Sequence, residues 1–170
     1  MLRGISVVLV AVSLFSISGC ATTNPKISPM QIRQITTKQI DGDYENIYRA
    51  SLTVLQDNGY IIKNTDMNSG LIVANVDRET SQASQFMQAF WVGYVYDKGT
   101  TVELSVMVNK LNEAASEIRI NIQEINYTQF GGKNTIKQIY DEKLYNNLFN
   151  TIVTEVKRRE AMKLGKHSLS

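Results

Sequence analysis

Val102-Glu103-Leu104-Ser105-Val106-Met107-Val108 and Ile118-Arg119-Ile120-Asn121-Ile122 are the stretches whose reading decides the fold. In each, apolar and polar side chains alternate with a period of two, the pattern of a strand that buries one face and wets the other. Leu111 to Ser116 supplies the turn, so the two runs predict an antiparallel hairpin covering a core on one side. Ile125 breaks the alternation, which predicts a bulge or the end of the strand.

Working outward, Tyr60–Thr65 and Leu71–Val76 are β-branched runs separated by Asp66-Met67-Asn68-Ser69-Gly70, a turn-forming linker, and predict a second hairpin. Before it, Tyr44, Ile47, Tyr48, Ser51, Val54 and Leu55 fall on one helical face. Asp43 is placed as its N-cap and Gly59 as its C′ residue. Gln31–Ile40, rich in Ile and Thr, predicts a first, edge strand. Gly131–Asn134 reads as a loop. Asp141 to about Lys163 predicts a closing helix with Leu144, Tyr145, Leu148, Phe149, Ile152, Val153 and Val156 inward. Lys157, Arg158, Arg159 and Lys163 near its end complement the helix dipole or meet anionic headgroups. The last residues, with His167, read as a tail. The expected architecture is α+β: an antiparallel four- to five-stranded sheet with two helices packed on one face, in the order β-α-β-β-insert-β-β-α.

The insert, residues 84–97, reads Ser-Gln-Phe-Met-Gln-Ala-Phe-Trp-Val-Gly-Tyr-Val-Tyr-Asp and holds the only tryptophan. Phe86, Phe90, Trp91 and Tyr94 have helical spacing, and Trp91, Gly93 and Val95 would equally suit a strand. These four aromatics either fill core or form a surface that contacts a partner, a ligand or the membrane interface.

The first twenty residues have a different character. Arg3 precedes the apolar run Ile5–Ile17, which is too short for a membrane-spanning helix of about 20 residues, and small residues lead to Cys20. This is the layout of a cleaved secretory signal. Ile17-Ser18-Gly19-Cys20 resembles the bacterial lipobox. The resemblance implies a diacylglyceryl group on the Cys20 sulfur, cleavage after Gly19 and acylation of the new amine. Two or three acyl chains hold a protein on a bilayer, where one binds only marginally. Ala21, where an aspartate resembles an inner-membrane retention signal, implies the outer membrane facing the periplasm. The expected organisation is therefore signal peptide 1–19, lipidated cysteine and flexible tether 20–30 with both prolines, one domain 31–165, and tail 166–170.

Removing residues 1–19 from the 170 leaves 151, enough for one core, and without Arg3 the formal charge of +2 becomes +1. A near-neutral chain lacks the basic stripe expected of a nucleic-acid binder. With one histidine and one cysteine, it offers neither a histidine triad nor a multi-histidine metal site. Asp41-Gly42-Asp43-Tyr44-Glu45 lacks calcium-loop spacing and reads as helix capping. Gly131-Gly132-Lys133 lacks the rest of a phosphate loop. No cofactor and no enzymatic activity are expected.

Leu52-Thr53-Val54-Leu55-Gln56-Asp57-Asn58-Gly59-Tyr60-Ile61-Ile62 with Ser69-Gly70-Leu71-Ile72-Val73-Ala74 resembles small proteobacterial envelope lipoproteins of unassigned function. Tyr140-Asp141-x-x-Leu144-Tyr145-x-x-Leu148-Phe149 resembles their closing helix. The element order is also similar to the helix-grip domains of BamC, a lipoprotein subunit of the outer-membrane protein assembly machinery. The anchor, the flexible tether and the missing active-site chemistry together lead to the expectation of a membrane-anchored, non-enzymatic interaction or accessory module of an envelope complex. The alternative left open is a helix-grip domain that binds a small molecule or lipid.

Overall fold

The computed structural model describes residues 27–77, 100–127 and 133–167. They form an α+β layer: an antiparallel sheet of six strands with helices on one face. At its centre are β4 (Thr100–Asn112) and β5 (Ala115–Tyr127), paired in the register Leu104↔Ile122, Val106↔Ile120 and Val108↔Ile118. The predicted alternation is realised: Val102, Leu104, Val106, Val108, Ile118, Ile120 and Ile122 are all buried in one core. The turn is tighter than expected, since β4 continues to Asn112 through a register shift and leaves only Glu113 and Ala114 between the strands.

β3 (Leu71–Asp77) flanks β4, and β2 (Ile61–Asp66) forms the edge beyond it, with an irregularity between Ile62 and Asn64. The other side of β5 is shared. β1 (Thr37–Asp41) pairs with its first half and β6 (Lys133–Gln138) with its second. β6 is an addition to the four or five strands expected. Its one aliphatic residue, Ile136, is exposed, so the strand has no alternating apolar signal and is held by its ladder to β5.

The expected strand over Gln31–Ile40 is corrected. Only Thr37–Asp41 is extended, and α1 (Pro29–Thr36) precedes it. Local chemistry outweighs the β-branched composition here. The Ser28 hydroxyl accepts from the Gln31 amide while the Gln31 side chain accepts from the Ser28 amide, and Pro29 occupies the first helical position. Ile35 then packs against the core and Thr36 is buried. Pro29 and Met30, read as tether, lie in this helix's first turn.

α2 (Tyr44–Asp57) begins and ends where expected. The Asp43 carboxylate accepts from the Asn46 amide at 2.8 Å. At the other end Gly59, at φ 79°, donates to Gln56 O and Tyr60 to Leu55 O, a Schellman closure. α3 (Glu142–His167) is capped by Asp141, whose carboxylate accepts from the Leu144 amide. It runs past Lys163 and through His167, so part of the expected tail is helical. Ile47, Ala50, Val54 and Leu55 of α2 and Tyr145, Leu148, Ile152 and Val156 of α3 close the core over the sheet. Each fully buried aliphatic side chain of this kind contributes about 1.5–3 kcal/mol.

Two tyrosines tie α2 to the β2–β3 turn. Tyr44 Oη donates to Met67 O, Tyr48 Oη donates to Leu71 O at 3.2 Å, and the rings stack at 6.3 Å. Gly70 makes this approach possible. Its φ is 77°, and a Cβ there would lie 2.1 Å from Val108 O. Gly70→Ala is therefore expected to lower the unfolding free energy by ~2 kcal/mol or more. A urea titration checks this, and an unchanged midpoint would show that the turn does not need the glycine.

Candidate functional site

None of the sequence-singled residues Cys20, Phe86, Phe90, Trp91 and Tyr94 lies among the described residues. Three surfaces of the described structure carry polar or exposed groups in defined geometry.

The first is the junction of α2 and α3. Asn46 is buried, its Nδ2 donating to Val156 O at 3.3 Å and its Oδ1 accepting from Arg159 Nε at 3.0 Å. Lys163 Nζ donates to Asp43 Oδ2 at 3.2 Å. Arg158 grips Glu155 through two 2.6 Å hydrogen bonds. This corrects the dipole reading of the cluster, because α3 continues beyond these cations. Arg159 and Lys163 instead hold the start of α2. The acidic run at Asp41–Glu45 is accounted for in the same way, with Gly42 at φ 135° donating to Ala114 O and Asp43 capping the helix. Among the described residues no group of three or more His, Cys, Asp or Glu side chains is placed to hold a metal ion.

The carboxylates of this junction are shifted. Arg158 holds Glu155 below the ordinary 4.5, its hydrogen bond outweighing partial burial. Burial pushes Asp43 up, but the Asn46 amide and Lys163 together outweigh it and leave its pKa below 3.8.

The second surface is the sheet face away from the helices. Asn75, Glu103, Gln123 and Gln138 stand opposite one another across β3, β4, β5 and β6. Gln138 Nε2 donates to Gln123 Oε1 at 2.9 Å, and Gln123 Nε2 donates to Glu103 Oε1. With Ser105, Asn121 and Tyr140, Glu103, Gln123 and Gln138 line a shallow depression of about 470 Å³. Ile125 also points to this face and is outside the helix-side core, yet it is 0% exposed. The break in alternation thus marks neither a strand end nor a bulge at Ile125 itself, since β5 runs to Tyr127 and the register shifts only after Asn126.

The third surface is α1. Ile27 and Met30 are 43% and 70% exposed. A second depression, about 330 Å³, lies between α1 and the start of α3, lined by Ile27, Gln31, Gln34, Ile35, Glu142 and Asn146. Sequence reasoning passed over Ile27 and Met30 by assigning them to the tether. The Ser28-Pro29-x-Gln31 capping signal could have found them.

No family model and no curated protein matches the chain. Among solved structures, the adenylate sensor from AMP-activated protein kinase in complex with an aminoimidazole carboxamide ribonucleotide is 14% identical. It covers 68% of this chain and 93% of its own, with a TM-score of 0.39. A likeness at that score carries no argument about fold or ligand. Among the described residues no helix is long and apolar enough to cross a membrane.

A pH dependence follows from the shifted carboxylates. Their folded values lie below the unfolded ones, so the stability they contribute is present above about pH 4.5 for Glu155 and 3.8 for Asp43. It is lost as pH falls through the folded values. Urea midpoints are expected to drop on acidification from pH 6 to pH 3. Asp43→Asn keeps the cap but loses the charge, so its drop is expected to be smaller. Equal drops in the two proteins would remove Asp43 as a source.

Proposed function

We propose that the chain is a lipid-anchored lipoprotein of the bacterial cell envelope, facing the periplasm from the outer membrane, and a non-enzymatic accessory or interaction module there. The single observation carrying this reading is Ile17-Ser18-Gly19-Cys20 at the end of a short apolar run behind Arg3. The lone thiol sits where acylation requires it, and the described domain begins a few residues beyond. An interaction role is further supported by how the conspicuous polar groups are used. The charged cluster at α2–α3 is engaged in fastening helices, and the amide row on the open sheet face is cross-bonded.

The alternative of a ligand gripped between helices and sheet has no specific observation in its favour. Ile47, Ala50, Val54, Leu148 and Ile152 join Leu104, Val106, Ile120 and Ile122 in one buried cluster. Interaction at the surface is the reading we adopt.

Two measurements test the proposal. Metabolic labelling with an alkyne fatty acid is expected to tag the wild-type chain and leave Cys20→Ser untagged, with the variant leaving the membrane fraction. An untagged wild type overturns the anchor. Crosslinking in intact envelopes is then expected to recover a stoichiometric protein partner, reduced by the double variant Phe90→Ala, Trp91→Ala. Recovery of the chain alone overturns the interaction module.

A further inference from the structure

We propose that the outer surface at the start of α1, formed by Ile27 just ahead of the helix and by Met30 and Arg33 within it, rests on the surface of the bilayer to which Cys20 holds the chain. This proposal builds on the lipid-anchor reading and gives the anchored domain an orientation.

Ile27, just ahead of the Ser28 N-cap, and Met30, in the first turn, are large apolar side chains 43% and 70% exposed. Their placement is fixed rather than loose. The reciprocal Ser28–Gln31 hydrogen bonds and Pro29 set the start of the helix, and Ile35 and Thr36 seat its inner side on the core. Arg33, in the last turn and exposed, adds a cation suited to anionic headgroups.

Chain length restricts what this face can meet. Six residues lie between Cys20 and Ile27, and the seven steps from one to the other extend to at most roughly 25 Å. With the acylated cysteine in the bilayer, the start of α1 is held within that distance of the headgroups. The other exposed aliphatic residues of the helical layer are distant from it. Glu142 and Asn146, at the start of α3, line the depression beside α1. Leu164, 72% exposed, follows Glu142 by 22 residues of the same helix, a rise of about 33 Å.

Two aliphatic side chains and one arginine would hold a free protein on a membrane only weakly. Tethering changes that, because a short linker presents the face to the surface at an effective concentration on the order of millimolar. Glu142 and the glutamines of the same depression keep the contact shallow. The helix lies against the headgroups and does not enter the hydrocarbon.

The test uses the full-length lipidated protein. Cys20 is the only native thiol and is blocked by acylation, so Met30→Cys and Leu164→Cys each create a unique site for an environment-sensitive fluorophore. Both are reconstituted in vesicles of phosphatidylethanolamine and phosphatidylglycerol, with and without brominated acyl chains. The Met30 probe is expected to shift to the blue and be quenched by the brominated lipid, while the Leu164 probe is not. Arg33→Glu in the Met30→Cys background is expected to weaken both signals. Flotation of the same samples separates the two layers of the argument. A chain that does not float refutes the anchor and this proposal with it. A chain that floats with its Met30 probe open to aqueous iodide, or with Leu164 as the lipid-facing probe, keeps the anchor and overturns the orientation.

Discussion

The ladder between β4 and β5 is the constraint on which the rest of this domain depends. It sets Val102, Leu104, Val106 and Val108 beside Ile118, Ile120 and Ile122 on one face. A slip of β5 by one residue would send its three isoleucines to the face opposite the four β4 side chains. Every other element takes its place from that ladder. β3 and β2 extend it on one side, and β1 and β6 divide the free side of β5 between them. The helices cover the apolar face it creates. Apart from the cysteine at position 20 the chain has no thiol, so no intrachain disulfide is available and packing against this hairpin supplies the cohesion.

The charged groups act on top of that packing. Asn46, Arg159, Asp43 and Lys163 join residues more than a hundred positions apart and fix how α3 crosses the start of α2. The Asp43–Lys163 pair is half exposed, and pairs of that kind contribute about 0–1 kcal/mol. Buried Asn46 is different. Both ends of its amide are satisfied across the interface, and an unmatched buried amide is costly. The junction thus selects one helix crossing more than it adds stability.

How much of this was legible in the sequence varied with the range of the forces. Asp43 and Gly59 act within a few residues, and both caps of α2 could be read directly. The β4–β5 hairpin was legible because its period of two extends over most of both strands. Residues 31–36 were misread because Ile32, Ile35 and Thr36 fit a strand by composition and a helix by spacing. Capping at Ser28 and Pro29 decides between them. β6 was missed because an edge strand with polar residues on both faces has no hydrophobic period. The cations of α3 were legible as a cluster but not in their role, since only the tertiary crossing reveals Asp43 and Asn46 as their partners. Of the candidate site, the proposed lipid-attachment motif and the aromatic insert rest on the sequence alone, whereas the exposed start of α1 emerges only when the helix is placed.

The sheet face away from the helices combines separated apolar residues with a matched polar row. Two exposed aliphatic residues, Ile61 on β2 and Ile136 on β6, sit on strands separated by β3, β4 and β5, so these two cannot merge into one apolar patch. Between them runs the row Asn75, Glu103, Gln123 and Gln138, one polar residue per strand at matched register. The amides of Gln123 and Gln138 and the Glu103 carboxylate bond to one another, which orders side chains that would otherwise be free to rotate. A pre-ordered polar row loses less entropy on meeting a partner than the same groups left mobile. The row is thus ordered within the sheet itself, which lowers the entropic cost of any specific polar contact made there.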